Sequence, residues 1–143
     1  MVFGWRRGAA LLVTTAALVG CNAGNPTGST PATALVGPTW RLVRIAGQPV
    51  MAGTTVTAVF SSESRVNGSA GCNGYFGRAE AEPGSLSIGP LASTMMACSP
   101  EAVMTQEYSY LGSLQAATRF EIRGDELRLG PSATETSLVF SSR

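Results

Sequence analysis

The chain has 143 residues, with ten basic and nine acidic side chains, a formal net charge of +1 and no histidine. This length allows one compact domain. The arginines are scattered and no lysine is present, so the sequence does not provide the clustered basic surface that phosphate binding requires. We therefore expect no nucleic acid partner.

The first twenty residues have the layout of an export signal. Arg6 and Arg7 precede the apolar run 9–19, which stops at a small residue followed by Cys21. This run is about half as long as the roughly 20 apolar residues that a membrane-spanning helix needs. The sequence therefore predicts a signal peptide over residues 1–20.

The four residues Leu18-Val19-Gly20-Cys21 resemble the lipobox of bacterial lipoproteins. In that motif cleavage occurs just before the cysteine, whose thiol then carries diacylglycerol. The similarity implies lipid attachment at Cys21 and a membrane contact through this lipid. We expect an exported protein anchored to a bacterial membrane, which is the outer membrane facing the periplasm if the host has one.

Lipidation of Cys21 also resolves the odd number of cysteines. Of the three cysteines, Cys72 and Cys98 then remain as a pair. In an oxidising compartment such a pair is typical of a disulfide. We predict a bond between Cys72 and Cys98.

The chain after the anchor divides into a linker and a domain. Residues 21–36 are rich in Gly, Pro, Ser, Thr and Ala and show no periodic apolar face. Such a composition buries too little surface to offset the entropy of ordering, so we predict a flexible tether over 21–36. The folded domain is predicted over 37–143.

Short apolar and β-branched segments separated by turn residues predict many strands. In the first of them, Val43 and Ile45 break the strict alternation set by Trp40 and Leu42. A Gly89-Pro90 pair is expected to stop one strand, and Arg123-Gly124-Asp125 to turn a hairpin. The predicted strands lie at 39–45, 54–60, 65–66, 85–88, 119–122, 126–129 and 137–140.

A single helix is predicted to begin at Ser99-Pro100-Glu101, where a hydroxyl suits the cap and proline suits the first turn. An apolar stripe at three- and four-residue intervals predicts its core-facing side, while Glu107, Ser109 and Gln115 fall elsewhere on the wheel. The stripe consists of Val103, Met104, Tyr108, Leu111 and Leu114. The fold class is therefore mainly β (α+β), with a small antiparallel, barrel-like curled sheet and one packed helix.

The stretch NGSAGCNGYFG at 67–77 carries four glycines around one cysteine. Without histidine it cannot be part of a histidine-based Ser or Cys triad, and without lysine it cannot be a phosphate-binding P-loop. Two cysteines without histidine are also a poor zinc site. We expect no catalytic residue, no metal and no cofactor, and interpret the glycines as residues that bend a strand.

Three segments, GCNGYFG from Gly71, SLSIGPLASTMMAC from Ser85 to Cys98, and the helix leading into TRFEI, resemble the META domain of HslJ-type bacterial envelope lipoproteins. The resemblance extends over most of the mature domain. It implies a small β-rich, barrel-like fold with one packed helix in an envelope protein linked to stress tolerance. It implies no established reaction or ligand.

Two hypotheses for function follow. The first is a non-catalytic, lipid-anchored envelope module that supports envelope integrity under stress and binds a protein or a small amphiphile. The alternative is an envelope hydrolase, or an inhibitor of one, that uses carboxylates or the loop around Asn73 and Tyr75. Asn73 and Tyr75 are the candidate binding residues, although an asparagine in a turn also commonly satisfies local backbone groups.

Overall fold

The computed structural model describes residues 1–2 and 29–143, so the predicted signal peptide, Cys21 and the first part of the predicted tether lie outside the described residues. Residues 29–143 form a 3-10 turn at Ala32–Ala34, nine strands and one α-helix, α1, at Glu101–Gln115. The strands are β1 Thr39–Ile45, β2 Gln48–Pro49, β3 Thr57–Ser61, β4 Arg65–Ser69, β5 Gly74–Glu82, β6 Ser85–Ser93, β7 Arg119–Arg123, β8 Glu126–Gly130 and β9 Leu138–Ser141. No helix in the described part is long and apolar enough to cross a membrane.

The strands form one antiparallel sheet that closes on itself. Their order is β2-β1-β3-β4-β5-β6-β7-β8-β9, and β9 also pairs with β1. Eight strands make the barrel, while β2 extends the hairpin at the end of β1. The predicted fold, a mainly β, barrel-like sheet with one packed helix, is confirmed.

Helix α1 covers the least paired seam of the barrel. It connects β6 to β7, which pair only between Ser85 and Arg119. The helix packs against β6, β8 and β9. Because so few backbone hydrogen bonds join β6 to β7, side chains of the helix supply much of the packing at this position.

The irregular alternation in the first strand corresponds to a bulge. Trp40, Leu42 and Ile45 are buried, and the pairing of β1 with β9 shifts register between Leu42 and Arg44. One extra residue at this position turns Ile45 back toward the core. The break in alternation at Val43 and Ile45 therefore reflects a change of register within β1.

The ordered domain begins before Gly37, where the predicted tether ends. Leu35 is 1% exposed and belongs to the core, and its carbonyl oxygen accepts a hydrogen bond of 3.0 Å from the indole nitrogen of Trp40. Val36 forms a bridge to Phe60. Residues 32–36 are therefore part of the fold, because Leu35 is buried in the core and Val36 pairs with Phe60 of β3.

The prediction that Gly89-Pro90 ends a strand is wrong. β6 continues to Ser93, and its pairing with β5 shifts register between Gly77 and Ala79, opposite Gly89 and Pro90. Proline cannot donate to a sheet ladder, but an irregular position does not require that donor. The bulge accommodates Pro90 without ending the strand.

The predicted core face of the helix is partly wrong. Tyr108 is 73% exposed, whereas Glu107, which was placed away from the core, is 3% exposed. The buried residues of α1 are Val103, Glu107, Tyr110 and Leu114. Ser99 makes no capping bond either, because the helix begins directly after Pro100. The buried face of α1 therefore includes Glu107, and a search for apolar residues alone cannot predict a buried charged side chain.

Replacement of Leu35 tests whether this segment is part of the folded domain. We expect Leu35→Ala to lower the free energy of unfolding by about 2 to 5 kcal/mol, as for other buried leucines. Val36→Ala, at a residue 37% exposed, is the matched control and should cost much less. Urea denaturation measures both values, and equal losses in the two variants would contradict the assignment of Leu35 to the core.

Candidate functional site

The disulfide between Cys72 and Cys98 joins the segment just before β5 to the segment before α1, which confirms the predicted pairing. Their Cα atoms lie 6.0 Å apart, across a sequence separation of 26 residues. A closed loop of this length is worth roughly 3.5 kcal/mol in the chain-entropy model. This bond therefore supplies a large part of the stability of a small domain.

Two glycines of the same stretch have conformational and steric roles. Gly71 has φ of +115°, a backbone conformation that side chains rarely permit. A Cβ atom on Gly68 would lie 2.0 Å from the carbonyl oxygen of Thr57. The glycines thus let the chain turn sharply before Cys72 and let β4 approach β3 closely.

Glu107 reaches from the helix to the backbone beside the disulfide. Its Oε2 atom accepts hydrogen bonds from the amide nitrogens of Asn73, at 2.7 Å, and Cys72, at 3.2 Å. Its Oε1 atom accepts from the side-chain amide of Asn73 at 2.7 Å. A buried carboxylate is costly unless it is hydrogen-bonded, and these three donors supply that compensation.

Asn73 carries the connection on to the segment after β6. Its side-chain amide nitrogen, Nδ2, also donates to the carbonyl oxygen of Met96 at 3.0 Å. Its Oδ1 atom accepts from the hydroxyl of Thr94 and the amide of Met96, both at 2.7 Å. Two donors and two accepted bonds use the full capacity of an asparagine side chain. Asn73 thus lies 2% exposed at the centre of a structural network.

Tyr75 forms a second polar contact inside the barrel. Its hydroxyl lies 2.6 Å from that of Tyr110 on the helix and donates to the carbonyl oxygen of Thr57 at 2.9 Å. Burial raises the pKa of both tyrosines above the ordinary value. Both remain neutral hydroxyls near neutral pH, so the pair links helix to sheet and supplies no phenolate.

The structure therefore brings together Cys72, Cys98, Asn73 and Tyr75 at one end of the barrel, with both candidate binding residues inside the protein. Cys21 lies outside the described residues. Sequence reasoning missed Glu107 and Tyr110. Their spacing could have indicated their burial, because Val103, Glu107, Tyr110 and Leu114 follow one another at intervals of four, three and four residues and so share one helix face.

The other carboxylates that form ion pairs lie on the outer surface. Glu80 pairs with Arg78, Glu121 with Arg123, and Glu126 with Arg128, all with partly exposed side chains. Within residues 1–2 and 29–143, no group of three His, Cys, Asp or Glu side chains could hold a metal ion. These three ion pairs join neighbouring side chains along the outer surface of β5, β7 and β8.

An exposed apolar patch lies at the disulfide end of the barrel. We define it by Phe76, Ala92, Met95 and Met96, whose large members are 63%, 97% and 57% exposed for Phe76, Met95 and Met96. Phe76 of β5 pairs directly with Ala92 of β6. The amide of Thr94 donates to the carbonyl oxygen of Gly74, which holds the methionine segment beside β5.

An apolar groove lies at the opposite end, where the described chain enters the fold. It has a volume of about 360 Å³ and is bordered by the 3-10 turn, β3 and β5. The amide of Gly84, in the turn between β5 and β6, donates to the carbonyl oxygen of Thr30 at 2.9 Å. β5 runs nine residues between the two ends, about 26 Å along the strand.

An antiparallel barrel that is closed by one helix and secured by a disulfide defines a class of small β-rich domains. The model of the META domain matches residues 33–143, and the chain belongs to this family. The match begins within the 3-10 turn, which agrees with a fold that includes Leu35. A search of curated proteins found no match.

Three solved structures share the fold. A protein structure determined by NMR is 22% identical, with a TM-score of 0.63, and the match covers 78% of this chain and 94% of that one. An NMR structure of a protein from Burkholderia xenovorans is 25% identical, with a TM-score of 0.60 and coverage of 83% and 92%. A crystal structure of a DUF4847 family protein from Bacteroides vulgatus is 15% identical, with a TM-score of 0.59 and coverage of 78% and 96%.

The disulfide gives a direct prediction for mutagenesis. Cys72→Ala and Cys98→Ala should each lose about 3 kcal/mol of unfolding free energy, and the double variant should lose little more, because each removes the same bond. Chemical denaturation of the oxidised protein measures these losses. Additive losses in the double variant would show that the two cysteines act independently.

Proposed function

We propose that this protein is a non-catalytic, HslJ-type envelope lipoprotein that is anchored through Cys21 and binds a protein partner at the apolar patch. In this role it supports envelope integrity under stress. The observation that carries the proposal is the patch itself, which lies at the end of the barrel remote from the chain entry. The lipobox-like sequence and membership of the META domain family support the envelope setting.

The patch has the chemistry of a contact surface. Exposed aromatic and methionine side chains are enriched in protein interfaces, and methionine adapts its shape to different partners. Phe76 also borders a surface pocket lined in part by Glu63, Arg65 and Arg78, so charged side chains flank the patch on this side, as in the polar rim of many interfaces. The disulfide and the Asn73 network fix the backbone of the methionine segment, which lowers the entropy lost on binding.

The two ends of the barrel differ in their distance from the point where the chain enters the fold. The described chain enters at Ser29 and Thr30, beside the turn between β5 and β6. Lipid attached at Cys21 would hold this end toward the membrane. The patch would then face away from the bilayer and toward other envelope proteins.

A photocrosslinking amino acid at Met95 tests this function in intact envelopes of cells that make the full-length protein. We expect one defined protein adduct, because Met95 is almost fully exposed in the patch. Phe76→Ser should reduce the adduct about tenfold by removing the aromatic anchor of the patch. The same probe at exposed Ala133 is the matched control and should give no such adduct.

Cys21→Ser tests the anchor in the same experiment. This variant should lose membrane partition and incorporated fatty acid, and the adduct should fall with it. An adduct that persists unchanged in Phe76→Ser, or that appears equally from Ala133, would contradict binding at the patch. Retention of Cys21→Ser in the membrane fraction would contradict the anchor.

A further inference from the structure

The groove at the chain entry end differs in chemistry from the rest of the surface. Apolar side chains line most of it, and no charged residue does. The apolar residues that border it include Leu35, Val36, Phe60, Ala79 and Ala81. At about 360 Å³ the groove falls at the lower end of the range for small-molecule sites. An uncharged site lined by apolar and hydroxyl side chains favours a ligand with an aliphatic part.

One hydroxyl in this lining has no partner. The Oγ atom of Ser61 is buried and makes no hydrogen bond within the described residues. It is the one side-chain polar atom of that kind in the described part of the chain. A buried hydroxyl without a partner is destabilising, and native structures rarely retain one without a reason. Because the Oγ atom is enclosed, the side chain must rotate about its Cα–Cβ bond to turn the hydroxyl into the groove, where an ester or hydroxyl oxygen of a ligand would accept its hydrogen bond.

The position of the groove connects it to a membrane. The 3-10 turn at Ala32–Ala34 forms part of its wall. Ala32 lies eleven positions after Cys21, so the proposed lipid on Cys21 would lie at most about 40 Å of extended chain from the groove. The groove is therefore within reach of the bilayer surface, whereas the apolar patch lies at the other end of the barrel.

We propose that the groove binds the acyl chain of a single-chain membrane lipid, with an ester oxygen of the lipid accepting a hydrogen bond from Ser61. The apolar walls contact the chain, and the uncharged rim leaves the head group outside. The inference rests on the proposed anchor at Cys21 for the source of the lipid. It does not depend on a protein partner at the patch.

The test uses isolated envelopes that contain the full-length protein. A monoacylglycerol with a 12-carbon chain that carries a diazirine is added, and the cross-linked peptides are mapped by mass spectrometry. Because the probe is added after biosynthesis, the lipid on Cys21 does not contain it. We expect cross-links to Leu35, Phe60 or Ala81.

Two variants and a control separate ligand binding from structure. Ala81→Phe fills the groove and should reduce labelling of the groove at least tenfold, while Ala133→Phe on an exposed loop should leave it unchanged. Ser61→Ala should weaken labelling about fivefold. The same change removes a buried hydroxyl without a partner, so it should maintain or raise the melting temperature of the free protein. A purely structural serine would instead lower this temperature.

Each other outcome overturns the proposal. Equal labelling in Ala81→Phe and the unchanged protein would place the lipid elsewhere, as would cross-links confined to Phe76 and Met95. Labelling that is unchanged in Ser61→Ala would contradict a hydrogen bond between Ser61 and the lipid. If the lipid probe does not label the groove but the photocrosslinker at Met95 still forms its protein adduct, the lipid site is refuted and the proposed function stands.

Discussion

The buried carboxylate of Glu107 is the interaction on which the remaining structure depends. It fixes helix α1 against the backbone of Cys72 and Asn73, and through Asn73 it orders the segment that contains Met96. The disulfide restricts the same region covalently, but a single covalent link does not set the rotation of a helix about its axis. The three hydrogen bonds to Glu107 do so, and they direct Tyr110 of the same face into the barrel toward Tyr75.

This arrangement gives the two ends of the barrel separate tasks. At the disulfide end, the polar groups of Glu107 and Asn73 form hydrogen bonds inside the protein. The surface available for binding there therefore consists mainly of the exposed side chains of Met95 and Met96, whose backbone the Asn73 network holds. At the entry end, Leu35 is buried in the core, and the 3-10 turn before it borders an apolar groove. We propose a protein contact at the first end and a lipid at the second, a division that suits a module held between a membrane and other envelope proteins.

The sequence predicted the fold well where periodicity alone determines burial. Alternating apolar residues located most strands, and the flanking turns located the hairpin of β7 and β8. Periodicity failed where a polar side chain is buried with partners, as in Glu107, since those partners are 34 and 35 residues away in the chain. Composition likewise missed Leu35, because one large apolar side chain carries little average signal in a segment rich in Gly, Pro, Ser, Thr and Ala. The bulge at Pro90 depends on a partner strand that no local pattern specifies.

A double-mutant cycle between Glu107 and Asn73 tests the central claim most directly. Glu107→Gln keeps the shape of the side chain but removes its charge and one acceptor, and Asn73→Ala removes the amide that meets it. If the two residues form one structural unit, each variant loses on the order of 3 kcal/mol of unfolding free energy, and the double variant loses at least about 1 kcal/mol less than their sum. Additive losses, or a Glu107→Gln variant within about 0.5 kcal/mol of the unchanged protein, would contradict the account.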